Sequence, residues 1–87
     1  MRFVWDERKR RTNLRVHGLD FRDAPAVFDG PTYTIEDDRF DYGEERSLAF
    51  SRIDGRGYAV VYVQRGDRVR IISMRRAHDK ELAVYDL

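Results

Sequence analysis

The chain has 87 residues, of which 41% are hydrophobic and 38% are charged, so it is long enough for one compact domain spanning residues 1–87 and too short for two. It contains no cysteine, which excludes disulfides and thiolate metal sites and makes a reducing, cytoplasmic compartment the expected one. It has no charged-then-apolar leader and no apolar run long enough for a membrane helix, so no membrane association is expected.

The formal net charge is only +1, which argues against non-specific coating of nucleic acid, yet the charges are unevenly distributed. Basic residues are concentrated in segment 8–17, and acidic residues in segment 36–45. The charges of these two segments cancel in the net charge, but their separation in the sequence predicts a surface with one basic and one acidic region.

The first predicted elements are a short strand at residues 3–5 and a helix over residues 7–17. Asp6 precedes the helix as an N-cap, and Gly18 follows it as a left-handed C-cap. The few apolar residues expected to pack this helix are Leu14 and Val16.

A second helix is predicted to begin at Asp20 or Asp23 and to end near Asp29. Pro25 requires its start to lie close by, because proline is tolerated only in the first helical turn. Apolar residues recur at helical spacing and predict a core face. They are Phe21, Ala24, Val27 and Phe28.

The remainder is predicted as an acidic loop over residues 32–44, which can hold a brief strand around 33–35, followed by a β-meander. The meander strands are expected at residues 46–53, 58–64 and 68–74, and a closing helix at 77–85. The predicted fold class is α+β, with a small antiparallel sheet packed by N-terminal helices and a C-terminal helix in the order β-α-α-β-β-β-α.

Lys9, Asn13 and His17 are spaced i, i+4, i+8 and therefore lie along one face of the first helix. A lysine, an amide and an imidazole in a row can hold a phosphate and transfer a proton. The alternative, favoured for the motif alone, is that Asn13 and His17 are buried and anchor the helix through hydrogen bonds.

The last predicted strand carries Arg70, Ser73, Arg75 and Arg76, and arginine forks match phosphate oxygens. Strict alternation places Arg70 and Arg75 on opposite faces, so only a bulge or the strand end can bring them together. Ser73 lacks the Gly-x-Ser-x-Gly context of a nucleophile and is interpreted as a cap or ligand group. The simplest alternative is a solvated strand edge followed by an ion-paired helix.

Metal and cofactor chemistry has little support in the sequence. The two histidines, His17 and His78, are far apart, and the acidic residues lack a recognised ligand spacing. No glycine-rich phosphate loop is present. We therefore predict neither a metal nor a cofactor.

Several short segments are each common in proteins, but their order and spacing together are specific enough to indicate a protein family. They are Phe3-Val-Trp5-Asp6, Lys9, Asn13, His17-Gly18, Phe21, Ala24, Val27-Phe28, Glu45-Arg46, Arg70-Ile-Ile-Ser73, Arg75, Ala77, Glu81 and Tyr85. Together they resemble the BrnT family, the ribonuclease toxins of type II toxin–antitoxin systems, over nearly the whole chain. Phe50-Ser51 and the arginine-rich first helix depart from the usual family pattern, which affects strand curvature and partner specificity rather than the class of activity.

The resemblance implies a RelE-like fold and RNA cleavage without an obligatory metal, which inhibits translation. It also implies a BrnA-like antitoxin with a ribbon-helix-helix region. The toxin would contact operator DNA only through this antitoxin, and the two proteins would form a heterotetramer. Phosphate stabilisation is assigned to Arg46, Arg70 and Arg75, with Arg76 at the rim and Lys9 assisting.

His17 or Glu81 is the candidate acid–base group, and Tyr85 is a candidate stacking or proton-donating neighbour. These assignments follow the needs of 2′-hydroxyl attack on the adjacent phosphate, which requires a base, cations and an acid. The alternative function is a non-catalytic binding module that uses its basic surface for a partner protein or nucleic acid.

Overall fold

The computed structural model describes residues 1–87. It contains one five-stranded sheet with helical segments on both faces. The elements are β1 (Arg2–Trp5), α1 (Glu7–His17), a 3₁₀ helix (Phe21–Phe28), β2 (Thr32–Glu36), β3 (Ser47–Ile53), β4 (Arg56–Arg65), β5 (Arg68–Arg76) and α2 (Asp79–Ala83). The strand order is β1-β5-β4-β3-β2. Strands β2 to β5 form an antiparallel meander, and β1 pairs with β5 in parallel. The α+β class is thus as expected.

Three details of the predicted order are wrong. The brief strand expected at residues 33–35 is present as β2, but the predicted order omits it, and it is longer than expected because its Thr-Tyr-Thr-Ile run favours extended backbone. The second helix is a 3₁₀ helix rather than an α-helix, and Asp20 is its N-cap. It contains Pro25, which has no backbone N–H and therefore cannot donate the hydrogen bond that an α-helix would need at this position. The sheet is not wholly antiparallel, because β1 lies beside β5 in the same direction.

The bounds of α1 are as predicted. Asp6 accepts hydrogen bonds from the backbone nitrogens of Arg8 at 2.8 Å and Lys9 at 3.2 Å. Gly18 ends the helix with a φ of 71°. No helix in the structure is long and apolar enough to cross a membrane; α1, with eleven residues, is the longest.

The packing predicted for α1 is wrong, since Leu14 and Val16 are 42% and 64% exposed. Polar contacts hold the helix instead. Arg10 donates from Nη1 to the Asp20 carboxylate at 3.0 Å, and Asn13 is buried against β5. The reason is that α1 packs beside an open strand edge, which offers backbone hydrogen-bonding groups as well as apolar surface.

Two apolar clusters lie on opposite faces of the sheet. The first, which we call the α1 face, includes Phe21, Val60 and Ile71 and is covered by the 3₁₀ helix and α1. The second, the α2 face, includes Phe50 and Leu82. The sheet therefore separates two sets of side chains that can act independently.

A β-bulge in β5 determines which residues share the α2 face. Tyr62 pairs with Ile71 and Val61 pairs with Ser73, so Ile72 has no partner. The extra residue reverses the alternation beyond this point. Arg70 lies opposite Val63 and Arg75 lies opposite Ala59, and facing residues of paired strands share a face. Arg70 and Arg75 therefore lie on the same face, which regular alternation would forbid.

Candidate nucleic-acid interface

A cavity of about 420 Å³ lies between α1 and the bulged part of β5. It is lined by Arg8, Lys9, Thr12, Asn13, Val16, His17, Ile72 and Ser73. Helical spacing places Lys9 and His17 on its α1 wall, and the bulge supplies Ser73 on the opposite side. The structure thus brings together two of the predicted site residues, Lys9 and His17, beside a hydroxyl.

Asn13 builds this cavity by closing the edge of β5. Strand β1 ends opposite Ile71, so the edge beyond it has no strand partner. Asn13 replaces one: its Nδ2 donates to the carbonyl oxygen of Met74 at 2.9 Å, and its Oδ1 accepts from the Met74 backbone nitrogen at 3.0 Å. The same Nδ2 donates to the carbonyl oxygen of Leu19 at 2.9 Å. The anchoring interpretation is confirmed for Asn13.

The anchoring interpretation is wrong for His17. Its side chain is exposed, and it has no hydrogen bond to another residue of the chain. It occupies the last turn of α1, where the packing that buries Asn13 one turn earlier has ended. Its imidazole is therefore free to contact a ligand in the cavity.

Arg46 and Arg70 converge on one carboxylate. Glu44 accepts from Arg70 Nη2 at 2.7 Å and, through its other oxygen, from Arg46 Nε at 3.3 Å. The Arg46 guanidinium also lies 4.1 Å from the centre of the Tyr42 ring. The two arginines come from distant parts of the sequence, yet both bind the Glu44 carboxylate on the α2 face.

Arg75 forms a two-pronged ion pair with Glu81. Its Nη1 and Nη2 donate to the two carboxylate oxygens at 3.0 and 2.9 Å. These hydrogen bonds hold the pKa of Glu81 below its ordinary value, with a smaller contribution from the Arg75 charge. Glu81 therefore stays ionised through the neutral pH range and is a weak proton acceptor.

The side chains of Tyr85 and Arg76 neither line the His17 cavity nor take part in the ion pairs of Arg46, Arg70 and Arg75. Tyr85 is stacked between Tyr33 and Phe50, with ring centres 4.6 and 4.8 Å away. Arg76 pairs with Tyr58 on the α1 face, with its guanidinium 5.3 Å from that ring. The structure does not bring either residue to the His17 cavity.

The acidic segment 36–45 is only partly exposed to solvent. Asp37 is 5% exposed and accepts from Arg39 at 2.7 and 2.9 Å. These hydrogen bonds lower the pKa of Asp37, against the opposing effect of burial. No group of three or more His, Cys, Asp or Glu side chains is arranged to hold a metal ion.

Sequence reasoning missed a second cavity, of about 340 Å³, at the turn between β4 and β5. It is lined by Val4, Val63, Arg65, Arg68 and Arg70. A signal for it was present in the chain: the two-residue turn Gly66-Asp67 pairs Arg65 with Arg68. Two arginines that flank a tight hairpin must lie side by side.

The family model of the ribonuclease toxin BrnT of type II toxin–antitoxin systems matches residues 5–81. The chain belongs to this family. The resemblance inferred from the sequence is thereby confirmed, and membership of a type II system implies an antitoxin partner.

A solved structure supports the same assignment. The crystal structure of the Brucella abortus ribonuclease toxin BrnT is 31% identical, with a TM-score of 0.67 over 91% of this chain and 99% of that one. Among curated protein sequences, none is significantly similar to the chain. Family and fold are therefore established together, whereas the roles of individual residues depend on the geometry of the site.

Proposed function

We propose that this chain cleaves RNA by attack of a 2′-hydroxyl on the adjacent phosphate, without a metal, and thereby inhibits translation. The observation that carries the proposal is the cavity in which the unpartnered imidazole of His17 lies beside Lys9 and Ser73. An imidazole can take the 2′ proton, while a lysine neutralises the phosphate. The family to which the chain belongs supports the same class of reaction.

Of the two acid–base candidates, His17 is the better proton-transfer group. Glu81 is held by Arg75, and its lowered pKa makes it a poor base near neutrality. We assign Glu81 to orienting Arg75. His17 has no such partner and is exposed to ligand.

Phosphate stabilisation belongs to Arg70 and Arg75, which the bulge brings to one face of β5. Arg46 joins Arg70 through their shared contact with Glu44. Fixed cations stabilise the charge that develops on a pentacoordinate phosphorus. Arg76, which faces the other side, is at most a rim contact, and Tyr85 supports the fold through its stack rather than the chemistry.

The direct test is incubation of the purified chain with RNA in EDTA, beside the variants His17→Ala and His78→Ala. We expect cleavage to continue in EDTA and to fall by about 10²–10⁴ in His17→Ala, which loses its general acid–base group. His78 is exposed, lies outside the cavity and interacts with Glu81, so His78→Ala removes an imidazole without touching the proposed proton-transfer site. Loss of cleavage in EDTA, or equal activity of the two variants, would contradict the proposal.

A second test concerns the arginines. Removing one preorganised donor typically costs about 2.7–4 kcal/mol of transition-state stabilisation, so Arg70→Ala is expected to cut cleavage roughly a hundredfold or more. Arg56→Ala is the control, because Arg56 is exposed at the opposite end of β4 and forms no ion pair. Near-normal cleavage by a folded Arg70→Ala protein would refute the assignment.

The antitoxin is proposed to be BrnA-like, with a ribbon-helix-helix region that alone contacts operator DNA, in a heterotetramer with the toxin. In α1, Arg10 is the only basic residue in an ion pair, which leaves Arg8, Lys9, Arg11 and Arg15 available to an acidic partner. Such complementarity accelerates association and makes it salt-sensitive. Growth arrest on expression of this chain, relieved by the neighbouring short open reading frame, is the expected result.

A binding module without catalysis is the second candidate function. It is favoured by the carboxylates that engage Arg46, Arg70 and Arg75 in the free protein, since these ion pairs compete with a reacting phosphate for the same guanidiniums. A chain that binds RNA in EDTA but leaves it intact would establish this alternative.

A further inference from the structure

Three arginines line the cavity at the β4–β5 turn. The turn places Arg65 opposite Arg68, and Arg70 lies opposite Val63 on the same face. Val4 of β1 adds an apolar wall. Three guanidiniums around one concave surface are an arrangement that matches oxyanions such as phosphate.

One carboxylate provides all the counter-charge for this group. Glu44 contacts Arg70 at 2.7 Å and reaches Arg65 at 4.0 Å, and its other oxygen contacts Arg46. No ion pair involves Arg68. Four guanidiniums therefore share a single negative charge, and the cluster keeps a net positive charge.

We propose that Arg65, Arg68 and Arg70 form a subsite for a backbone phosphate of RNA, and that Glu44 is its internal occupant. The proposal rests on the proposed function only in naming RNA as the ligand. The Glu44 carboxylate accepts from two arginines through its two oxygens, as a phosphate would. An RNA phosphate takes its place and gains Arg68, which Glu44 does not contact.

Glu44 is placed where it can leave without disturbing the sheet. It belongs to the segment between β2 and β3 that forms neither helix nor strand, and it follows Gly43, whose φ is 71°. Its departure breaks contacts with arginines only, since it accepts no backbone hydrogen bond. The exchange therefore requires a side-chain movement rather than a change of fold.

The subsite is continuous with the His17 cavity along β5. Arg70 and Ser73 are three residues apart on the same face, which corresponds to about 10 Å or less at the rise of a strand. One RNA strand can therefore contact both cavities. This continuity favours an RNA backbone over a free phosphate as the natural ligand.

The first experiment measures binding of a single-stranded 2′-O-methyl RNA oligonucleotide, which lacks the attacking hydroxyl and cannot be cut. Glu44→Gln is expected to bind about two- to fivefold more tightly than the parent, the range set by one partly exposed ion pair. Glu45→Gln is the matched control, because Glu45 is exposed and forms no ion pair. General loss of negative charge would improve both variants equally.

The second experiment uses the same oligonucleotide with Arg68→Ala and Arg56→Ala. Arg68→Ala is expected to weaken binding and to reduce the slope of log affinity against log salt by about 0.7, the loss of one phosphate contact to a single strand. Arg56 is exposed and unpaired at the other end of the sheet, so Arg56→Ala should leave the slope unchanged.

Equal binding by Glu44→Gln and Glu45→Gln, equal slopes for the two arginine variants, or no binding by the parent would each overturn the subsite. Binding differences as expected, with no cleavage of ordinary RNA by the parent chain, would refute the proposed ribonuclease function and leave the subsite in place.

Discussion

The two α-helices are attached to the sheet by different means. Helix α1 is held by polar contacts, chiefly the amide of Asn13 bound along the edge of β5 and the ion pair from Arg10 to Asp20. Helix α2 is held mainly by apolar contacts, with Leu82 fully buried and Tyr85 stacked on Phe50, and its ion pairs from Asp79 to Arg52 and from Glu81 to Arg75 are partly exposed. The first attachment is directional, and the second depends on area and shape.

The charges follow the same division. Next to α1, Lys9 and His17 have no carboxylate partner and line a cavity. Next to α2, Arg75 is bound by Glu81 through two hydrogen bonds. Beside the polar attachment of α1, Lys9 and His17 are thus free to contact a ligand. Beside the apolar attachment of α2, the charge of Arg75 is neutralised by Glu81. This difference supports proton transfer at the α1 junction and the orienting of Arg75 by Glu81 at the α2 junction.

The largest expected effect is on the α1 junction. Asn13→Ala would leave the backbone N–H and C=O of Met74 and the carbonyl of Leu19 without their partner. Each buried polar group left unpaired costs about 1–3 kcal/mol, so we expect a loss of at least about 3 kcal/mol in the free energy of unfolding. Urea denaturation measures it.

Leu14→Ala tests whether apolar packing contributes to the attachment of α1. Leu14 is largely exposed, so its truncation is expected to cost less than about 1 kcal/mol, far below the cost at a buried leucine. A loss for Leu14→Ala as large as that for Asn13→Ala would mean that α1 is held by apolar packing after all.

The ends of α1 and the alignment of Lys9 with His17 could be predicted from the sequence, because both follow from local rules. Capping depends on the residues at the helix ends, here Asp6 and Gly18, and helical spacing aligns residues four apart. The family resemblance came from the same kind of local spacing.

The bulge at Ile72 could not be located from the sequence. The run Arg-Ile-Ile-Ser is an ordinary strand sequence, and the extra residue appears only when β5 is paired with β4. The attachment of Asn13 depends on the early end of β1, and the bridging by Glu44 depends on the approach of two distant strands. These features are set by tertiary pairing, which one sequence does not disclose.

A smaller effect is expected at the α2 junction. A Cβ at Gly57 would lie 2.5 Å from the carbonyl oxygen of Ala77 and would collide with the Leu82 side chain, so Gly57→Ala must displace α2. Overpacking of this kind costs about 1–3 kcal/mol. Denaturant unfolding measures the loss, and amide exchange in α2 locates it.

Gly30→Ala is the matched control, because nothing lies within 4 Å of the added carbon and its φ needs no glycine. It is expected to be neutral or stabilising by up to about 1 kcal/mol. Equal stability of the two alanine variants would show that α2 does not depend on close contact with β4.

The smallest expected effect concerns Glu81, and it separates a structural ion pair from a catalytic acid. Arg75 lowers the pKa of Glu81 below its ordinary value of 4.5 in the folded chain. A carboxylate with a lowered folded pKa stabilises the fold above its unfolded pKa, and this stabilisation is lost as pH falls through the folded value. Glu81→Gln should therefore cost up to about 1 kcal/mol at neutral pH, since both side chains are about one-third exposed.

The difference between the parent chain and Glu81→Gln should disappear on acidification below pH 4.5, where the parent loses the same contribution. Glu45→Gln, which breaks no ion pair, should follow the parent at every pH. Cleavage by Glu81→Gln should stay within about tenfold of the parent, because removal of a true general acid–base group costs about 10²–10⁴. A larger fall in cleavage, with stability unchanged, would transfer the proton-transfer role from His17 to Glu81 and reverse the contrast between the two helices.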